Sequence, residues 1–544
     1  MARTSGRRKH DAQAELAYEA GGDRMRQLSA QDASFLYLES QGAHLHLTGV
    51  YIYDQATSPG GIVRHKDILK YIDSRLHTSP IFRQKLVSLP LNVDYPYWVD
   101  DDKFDLEFHI RHIALPEPRD WRQLCILIAR IHSRPLDMSR PPWEMNLVEG
   151  LDNIEGLPKG AFAIISKYHH AAIDGATGSE IISGLHSTTP EYDPDPRAEP
   201  WEPERRPSWV GLMARAAVNN VRTPFQLARA TAATLPGISR SFLKGELPDV
   251  NLAHNVPDTR FNGVVSPRRV FEGVTFKLKQ LSDIKKAVAG ATVNDVVLAI
   301  CGGALRRYLV DKGELPDESL VAMAPINTRR PEEIDVTGNV LAMMFVPIHT
   351  DIADPLARLR AVREATADAK ETEHAISARQ MTDLTAHIPS ATMALAGRMV
   401  TGLGLGHRAI RLGNCTITNV PGPQHPLYLN GAKLIKSTGC APVLDGMGLI
   451  ITAISYNGEI IVSFTGCREL TPDPEQLSAC TVASFKSLKK AAAANGAKTK
   501  QRNKNKAKAK ATKKTTVKPN KKTKAKPRKR AKKRRARRPC HGFH

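Results

Sequence analysis

The sequence has little of what would make it a secreted or membrane-spanning protein. Its seven cysteines, Cys125, Cys301, Cys415, Cys440, Cys467, Cys480 and Cys540, are scattered and form no C-x-x-C pair. That argues against a disulfide scaffold and a zinc ligand set, and leads us to expect reduced thiols in the cytoplasm. No stretch approaches the ~18 consecutive apolar residues of a spanning helix, so any membrane contact is expected to be peripheral. The basic start, Met1 to Lys9, has no apolar region behind it, and no secretory leader is expected. Acidic residues are absent from Ala491 to His544, a segment that carries 23 Lys and Arg.

That last absence explains the net charge. The chain of 544 residues is formally +23, yet the 55 basic residues before Ala491 match all 55 acidic ones. The body is therefore neutral and the charge belongs to the tail. At 41 % hydrophobic and 24 % charged residues over its whole length the chain can form a sizeable core, which excludes wholly disordered and collagenous classes. Its length suits two packed domains plus extensions.

Hydrophobic spacing supplies the elements. Residues 1–23 are polar and read as a flexible N-terminus. Ser29 or Asp32 is placed to cap a short helix carrying Phe35, Leu36 and Leu38. His44–Tyr53 alternates as a strand, Ile68–Leu76 and Trp121–His132 have helical spacing, and Glu144–Glu149 and Ala161–Tyr168 read as strands. Six prolines between Pro190 and Pro207 mark a linker. An alanine-rich, acid-free helical stretch follows to Lys244, in which Arg215, Arg222 and Arg229 recur every seven residues and share one face. That face is either solvated or lies on anionic lipid. Beyond it come strands at Val270–Leu278 and Ser319–Ala324, helices at Val293–Leu309 and Leu356–Glu371, and strands at 414–420, 448–456 and 459–464. Asn457-Gly458 joins the last two as a type I′ hairpin turn. Interleaved strands and helices indicate an α/β, mixed α+β fold.

The segment richest in chemistry is His169-His170-Ala-Ala-Ile-Asp174-Gly175. A strand delivers two histidines to a loop that turns at Asp174-Gly175, ahead of a helix from about Ala176 to Leu185. A loop histidine has the pKa of a general base near neutral pH, and Asp174 can fold back to hold the loop or the imidazole. No serine or cysteine nucleophile motif stands beside it, so the base would activate a substrate hydroxyl directly. A structural turn is the competing reading; a metal site finds no third ligand cluster.

The pattern resembles the signature of chloramphenicol acetyltransferase-like acyltransferases, which nonribosomal peptide condensation domains share. Around it, Leu28–Leu36, Phe104–Arg111, Pro141-Pro142-Trp143-Glu144, Asn294–Ala299, Gly338-Asn-Val340 and Asn419–Pro423 are similar, in order, to blocks of the bacterial wax ester synthase/diacylglycerol acyltransferase family. The resemblance spans roughly residues 26–485. It implies two such domains around a central tunnel: 24–188 with the motif and 269–490 without it, joined by the crossover 189–268. It further implies His170 as base, Asp174 as organiser, His169 and Gly175 as loop-shaping residues, and Asn294-Asp295 as a structural or site-supporting pair. Pro142 departs from the family's Pro-Leu-Trp, so no substrate-selecting role is carried over to that segment.

The implied reaction moves a fatty acyl group from acyl-CoA, a co-substrate with no further cofactor and no metal, to diacylglycerol or a long-chain alcohol. The enzyme would be a cytoplasmic monomer or homodimer, held peripherally on the inner membrane face or on lipid bodies through Arg215, Arg222 and Arg229. The tail, 491–544, lacks the apolar content to fold alone; it reads as disordered, able to bind anionic lipid or nucleic-acid phosphates. A carrier-dependent acyltransferase, and a catalytically silent lipid-body or nucleic-acid-binding protein, are the competing functions.

Overall fold

The computed structural model describes residues 25–173, 181–191, 201–204, 207–221, 256–327, 341–375, 389–402 and 413–515. In chain order the strands are β1 Arg26–Gln27, β2 His46–Asp54, β3 Gln84–Val87, β4 Tyr97–Asp100, β5 Ile110–Ala114, β6 Trp143–Glu149, β7 Phe162–His169, β8 Arg269–Lys277, β9 Val321–Asn327, β10 Leu341–Pro347, β11 Cys415–Pro421, β12 Tyr428–Leu429, β13 Ala432–Cys440, β14 Leu449–Tyr456 and β15 Glu459–Cys467. The helices used below are α1 Ala30–Tyr37, α2 Trp121–Ser133, α3 Val293–Asp311, α4 Pro355–Ala375 and α5 Pro474–Thr515.

Two mixed six-stranded sheets carry the body, ordered β12-β13-β2-β7-β6-β5 and β10-β9-β11-β14-β15-β8, beside a small sheet β1-β4-β3. β7 is buried along its whole length between antiparallel β2 and β6, which is why its first half, Phe162–Ile165, reads as an apolar run and not as an alternation. β2 has one face partly open and keeps a largely alternating pattern. Asn457 and Gly458 both have positive φ, 44° and 83°, as the β14–β15 turn requires. Of the two capping candidates it is Ser29 that closes α1, accepting the Asp32 amide at 3.0 Å.

α2 buries Leu124, Cys125, Ile128 and Ile131 against Val50, Ile165 and Phe271, so it fills the space between the first sheet and β8 of the second. The second core forms around α3, in which Val296 to Leu305 are buried without a break. α3 begins in a capping box: Thr292 accepts the Asp295 amide, Asp295 Oδ2 accepts the Thr292 amide at 2.7 Å, and Oδ1 accepts Thr366 Oγ1 of α4 at 2.8 Å. Asp295, 2 % exposed, thus ties two helices together. The described cysteines, 125, 301, 415, 440, 467 and 480, are all free and buried.

Two expectations about domains change. The segment 269–490 is not a closed unit, because β13 leaves it to pair with β2, Thr438 opposite Val50, and extends the first sheet. Spacing along one segment cannot reveal a strand whose partner lies about 390 residues away. The compact body ends at Ala492 and the rest forms a second unit; there the expected disorder is too broad, since helix α5 reaches Thr515. Lys and Ala are strong helix formers, so a Lys/Ala segment can be helical without an apolar face to bury. Of the crossover, 209–221 is helical; Arg222 and Arg229 lie outside the described residues. Among the described residues no helix is long and apolar enough to cross a membrane.

Candidate active site

The end of β7 is fixed on both sides before it presents its histidines. The His169 amide donates to the Pro142 carbonyl at 3.0 Å and the His170 amide to the Leu45 carbonyl at 2.8 Å. Pro142 is buried at the start of β6. The residue that replaces the family leucine therefore contributes its carbonyl, which any residue would supply. Trp143 next to it is structural too: its indole donates to the Phe82 carbonyl at 3.0 Å and stacks on His109 at 4.3 Å.

His169 is the orienting member of the pair. Its Nδ1 accepts the Ala171 amide at 3.0 Å and so caps the short helical turn His170–Ala172. With Nδ1 accepting, the neutral ring carries its proton on Nε2, which lies 3.3 Å from Glu39 Oε1. Glu39 also accepts the Leu45 amide at 2.8 Å. Burial alone would raise the Glu39 carboxyl; His169 and the Leu45 amide outweigh it and hold the group below the usual carboxylate range. His46 Nε2 stands 3.8 Å from the same oxygen, so Glu39, His46 and His169 bring three potential ligand atoms within 4.8 Å of one another. A metal here would need the lone pair of His169 Nε2, which the capping hydrogen bond leaves protonated. The cluster is better suited to holding a tautomer.

The ring of His170 stacks on Phe35 of α1, centroids 3.9 Å apart and planes at 19°. Nδ1 is buried with no hydrogen-bond partner among the described residues. Burial pushes the imidazole pKa down to about 4, with the residue's own backbone carbonyl acting in the opposite direction. The ring is therefore neutral at physiological pH and holds a lone pair able to take a proton. Asp174 and Gly175 lie outside the described residues.

Behind the site, Lys167 is fully buried. Its ammonium donates to Glu144 Oε1 at 2.8 Å and to the carbonyls of Ile131 and Arg134, each at 2.9 Å. This pair staples β6 and α2 to β7 two residues before the histidine loop. Removing one partner strands a buried charge, so Glu144→Ala is expected to cost about 3–5 kcal/mol in urea-induced unfolding.

The histidine motif was legible in the sequence; Glu39, His46, Leu45 and Phe35 were not singled out as site residues. The usable signal was the alternation His44-x-His46, which in an extended chain leading into β2 puts both imidazoles on one side. Nothing local announces Glu39, which becomes a partner only when α1 and β7 meet.

Comparison with known proteins identifies the family. The pattern of the wax ester synthase/diacylglycerol acyltransferase catalytic domain matches residues 28–297, and that of the WS/DGAT C-terminal domain matches residues 337–489. An O-acyltransferase named WSD from Acinetobacter baylyi is 32 % identical over 468 residues, covering 83 % of this chain and 94 % of its own. A probable diacylglycerol O-acyltransferase from Mycobacterium tuberculosis is 31 % identical over 475 residues, 85 % of this chain and 98 % of its own. Among solved structures, a wax ester synthase/diacylglycerol acyltransferase from Marinobacter aquaeolei superposes with a TM-score of 0.60 at 26 % identity, covering 86 % of this chain and all of that one. The chain belongs to the wax ester synthase/diacylglycerol acyltransferase family.

Proposed function

We propose that the protein transfers a fatty acyl group from acyl-CoA to the hydroxyl of diacylglycerol, and to long-chain alcohols as second acceptors, with His170 as general base. The observation that carries this reading is a neutral imidazole, stacked on Phe35 at the end of a buried strand. As the hydroxyl attacks the thioester carbonyl, His170 takes its proton; the tetrahedral oxyanion then collapses and CoA leaves as a thiolate. A thiolate is a far better leaving group than an alkoxide, so one base suffices. Glu39 holds His169, and His169 shapes the turn that aims His170. In this reading the two sheets flank the tunnel in which the acyl chain and acceptor meet. The test is CoA release from palmitoyl-CoA with either diolein or hexadecanol, followed with a thiol reagent. Acceptor-dependent release supports the reading. Release only from a carrier-bound acyl group would move the protein to the condensation-type enzymes.

Acceptors this apolar partition into lipid, and the helix over 209–221 is built to meet it. Leu212 and Ala216 pack it onto Leu89 and Tyr97, whereas Trp209, Val210, Met213 and Val221 are all at least 47 % exposed, with Arg215 exposed beside them. An apolar outer face with a basic flank is the pattern of a helix lying in a membrane interface. This reading adds an apolar contact to the one expected at Arg215. Trp209→Glu with Val221→Glu is expected to weaken flotation with anionic liposomes at least tenfold. Unchanged flotation would remove this helix from the membrane face.

A further inference from the structure

A cavity of about 520 Å³ opens in the helical layer of the second half, between α3, α4 and α5. Its wall holds three guanidinium groups, from Arg306 and Arg307 of α3 and Arg358 of α4. Arg358 is 4 % exposed. Its Nε and Nη2 donate to the carbonyls of His349, Ile352 and Ala353 at 2.6–3.2 Å, and its Nη1 has no hydrogen-bond partner among the described residues. Arg306 donates to the carbonyls of Thr350 and Asp351, and Arg307 to Ser487 Oγ at 3.0 Å. None of the three has a carboxylate within ion-pairing distance among the described residues, although Asp311 stands on the rim.

The floor of the cavity is shaped for these groups. A Cβ at Gly303 would lie 2.3 Å from both Arg358 Nη1 and Ser484 Oγ, so only glycine lets them converge on α3. Ser484 Oγ donates to the Ile300 carbonyl at 2.8 Å, which leaves its lone pairs free. Burial, followed by the charges of Arg306 and Arg307, brings the Arg358 guanidinium down to about 10, against the opposing charges of Asp354 and Asp351, neither of which reaches ion-pairing distance. A carbonyl satisfies a guanidinium N–H but does not neutralise its charge. The group that would do so has several oxygens and at least one full negative charge.

We propose that this cavity binds a phosphoryl group carried on a small molecule. Arg358 Nη1 and Arg306 would meet the phosphoryl oxygens at the floor, and Arg307 with Ser487 would close over it. The volume exceeds what a bare ion fills and falls within the range of small-molecule pockets. Two carriers share this chemistry, the adenosine 3′-phosphate portion of a coenzyme A fragment and the headgroup of a phosphatidic acid. The proposal rests on these side chains and is independent of the acyl-transfer reading.

The test is calorimetric titration of the full chain, at 150 mM salt, with inorganic phosphate, adenosine 3′,5′-bisphosphate and dihexanoyl phosphatidic acid in turn. Wild-type protein is expected to bind at least one of them saturably at a single site. Affinity should fall at least tenfold in Arg306→Gln with Arg307→Gln, two groups that are not buried and whose loss leaves the core intact. Val310→Glu, which puts a carboxylate on the exposed rim, gives the same loss without removing a guanidinium. Preference for the bisphosphate assigns a nucleotide ligand, preference for the phosphatidic acid assigns a lipid headgroup, and equal affinities assign recognition to the phosphoryl group alone. Absence of saturable binding, or equal affinity in both variants, as adsorption to the basic tail would give, overturns the proposal.

Discussion

His170→Ala is expected to lower kcat for acceptor-dependent CoA release by about three orders of magnitude, the middle of the range for loss of a positioned general base. The argument rests on where the ring sits. Its amide is held by Leu45, its face by Phe35, and its proton affinity is lowered by burial, so it is neutral and oriented before substrate arrives. Glu39→Gln separates this role from that of its support. Glutamine keeps the shape and can still accept the Leu45 amide, but it loses the charge that faces His169 Nε2. A loss of about tenfold in kcat with little change in KM is expected, the scale seen for outer partners that orient an imidazole. Equal activity of His170→Ala and wild type would show that the family signature is carried here without its chemistry.

The second large effect is on stability in acid. His46, His132 and His186 are 1 %, 3 % and 7 % exposed, and burial is the leading cause of a lowered pKa at each, to about 3 for His132 and about 4 for His186. In the unfolded chain the same groups titrate near 6.5. Below that pH the unfolded state binds protons that the native state refuses, so the stability from these groups is present above about 6.5 and is lost as pH falls. Each contributes about 1.4 kcal/mol per pH unit, and the three together at most about 4 kcal/mol per unit. Against a typical total of about 5–15 kcal/mol, cooperative unfolding is expected near pH 5. Because His170 titrates lower still, kcat/KM should stay flat from pH 6 to 8 and its loss in acid should coincide with the loss of tertiary structure. An activity limb near 6.5 in fully folded protein would contradict the burial of His170.

How much of this was legible in the sequence depended on the range of each interaction. α2, β7, α3 and the β14–β15 hairpin follow from spacing and turn chemistry within about twenty residues, and their limits lie within two or three residues of those expected. The histidine motif was legible because its residues are adjacent. What was hidden is long-range. Glu39 meets His169 across 130 residues, Lys167 finds two of its three partners as backbone carbonyls that no residue type marks, and Arg358 faces two arginines of another helix. The seven-residue arginine period was read over Arg215, Arg222 and Arg229 as a face either solvated or on lipid; the apolar outer side of 209–221 became visible only once Leu212 and Ala216 were seen turned inward.

The insertion of β13 beside β2 has a consequence for synthesis. Until residue 440 has left the ribosome, the edge of the strand that carries His46 has no neighbour, and its outward N–H and C=O groups stand open between Thr48 and Asp54. The first half can collapse but cannot finish the sheet that holds its own active site. Nascent chains halted before Cys440 should therefore depend on holding chaperones and aggregate when released, and a cut anywhere before β13 should yield no independently active N-terminal fragment.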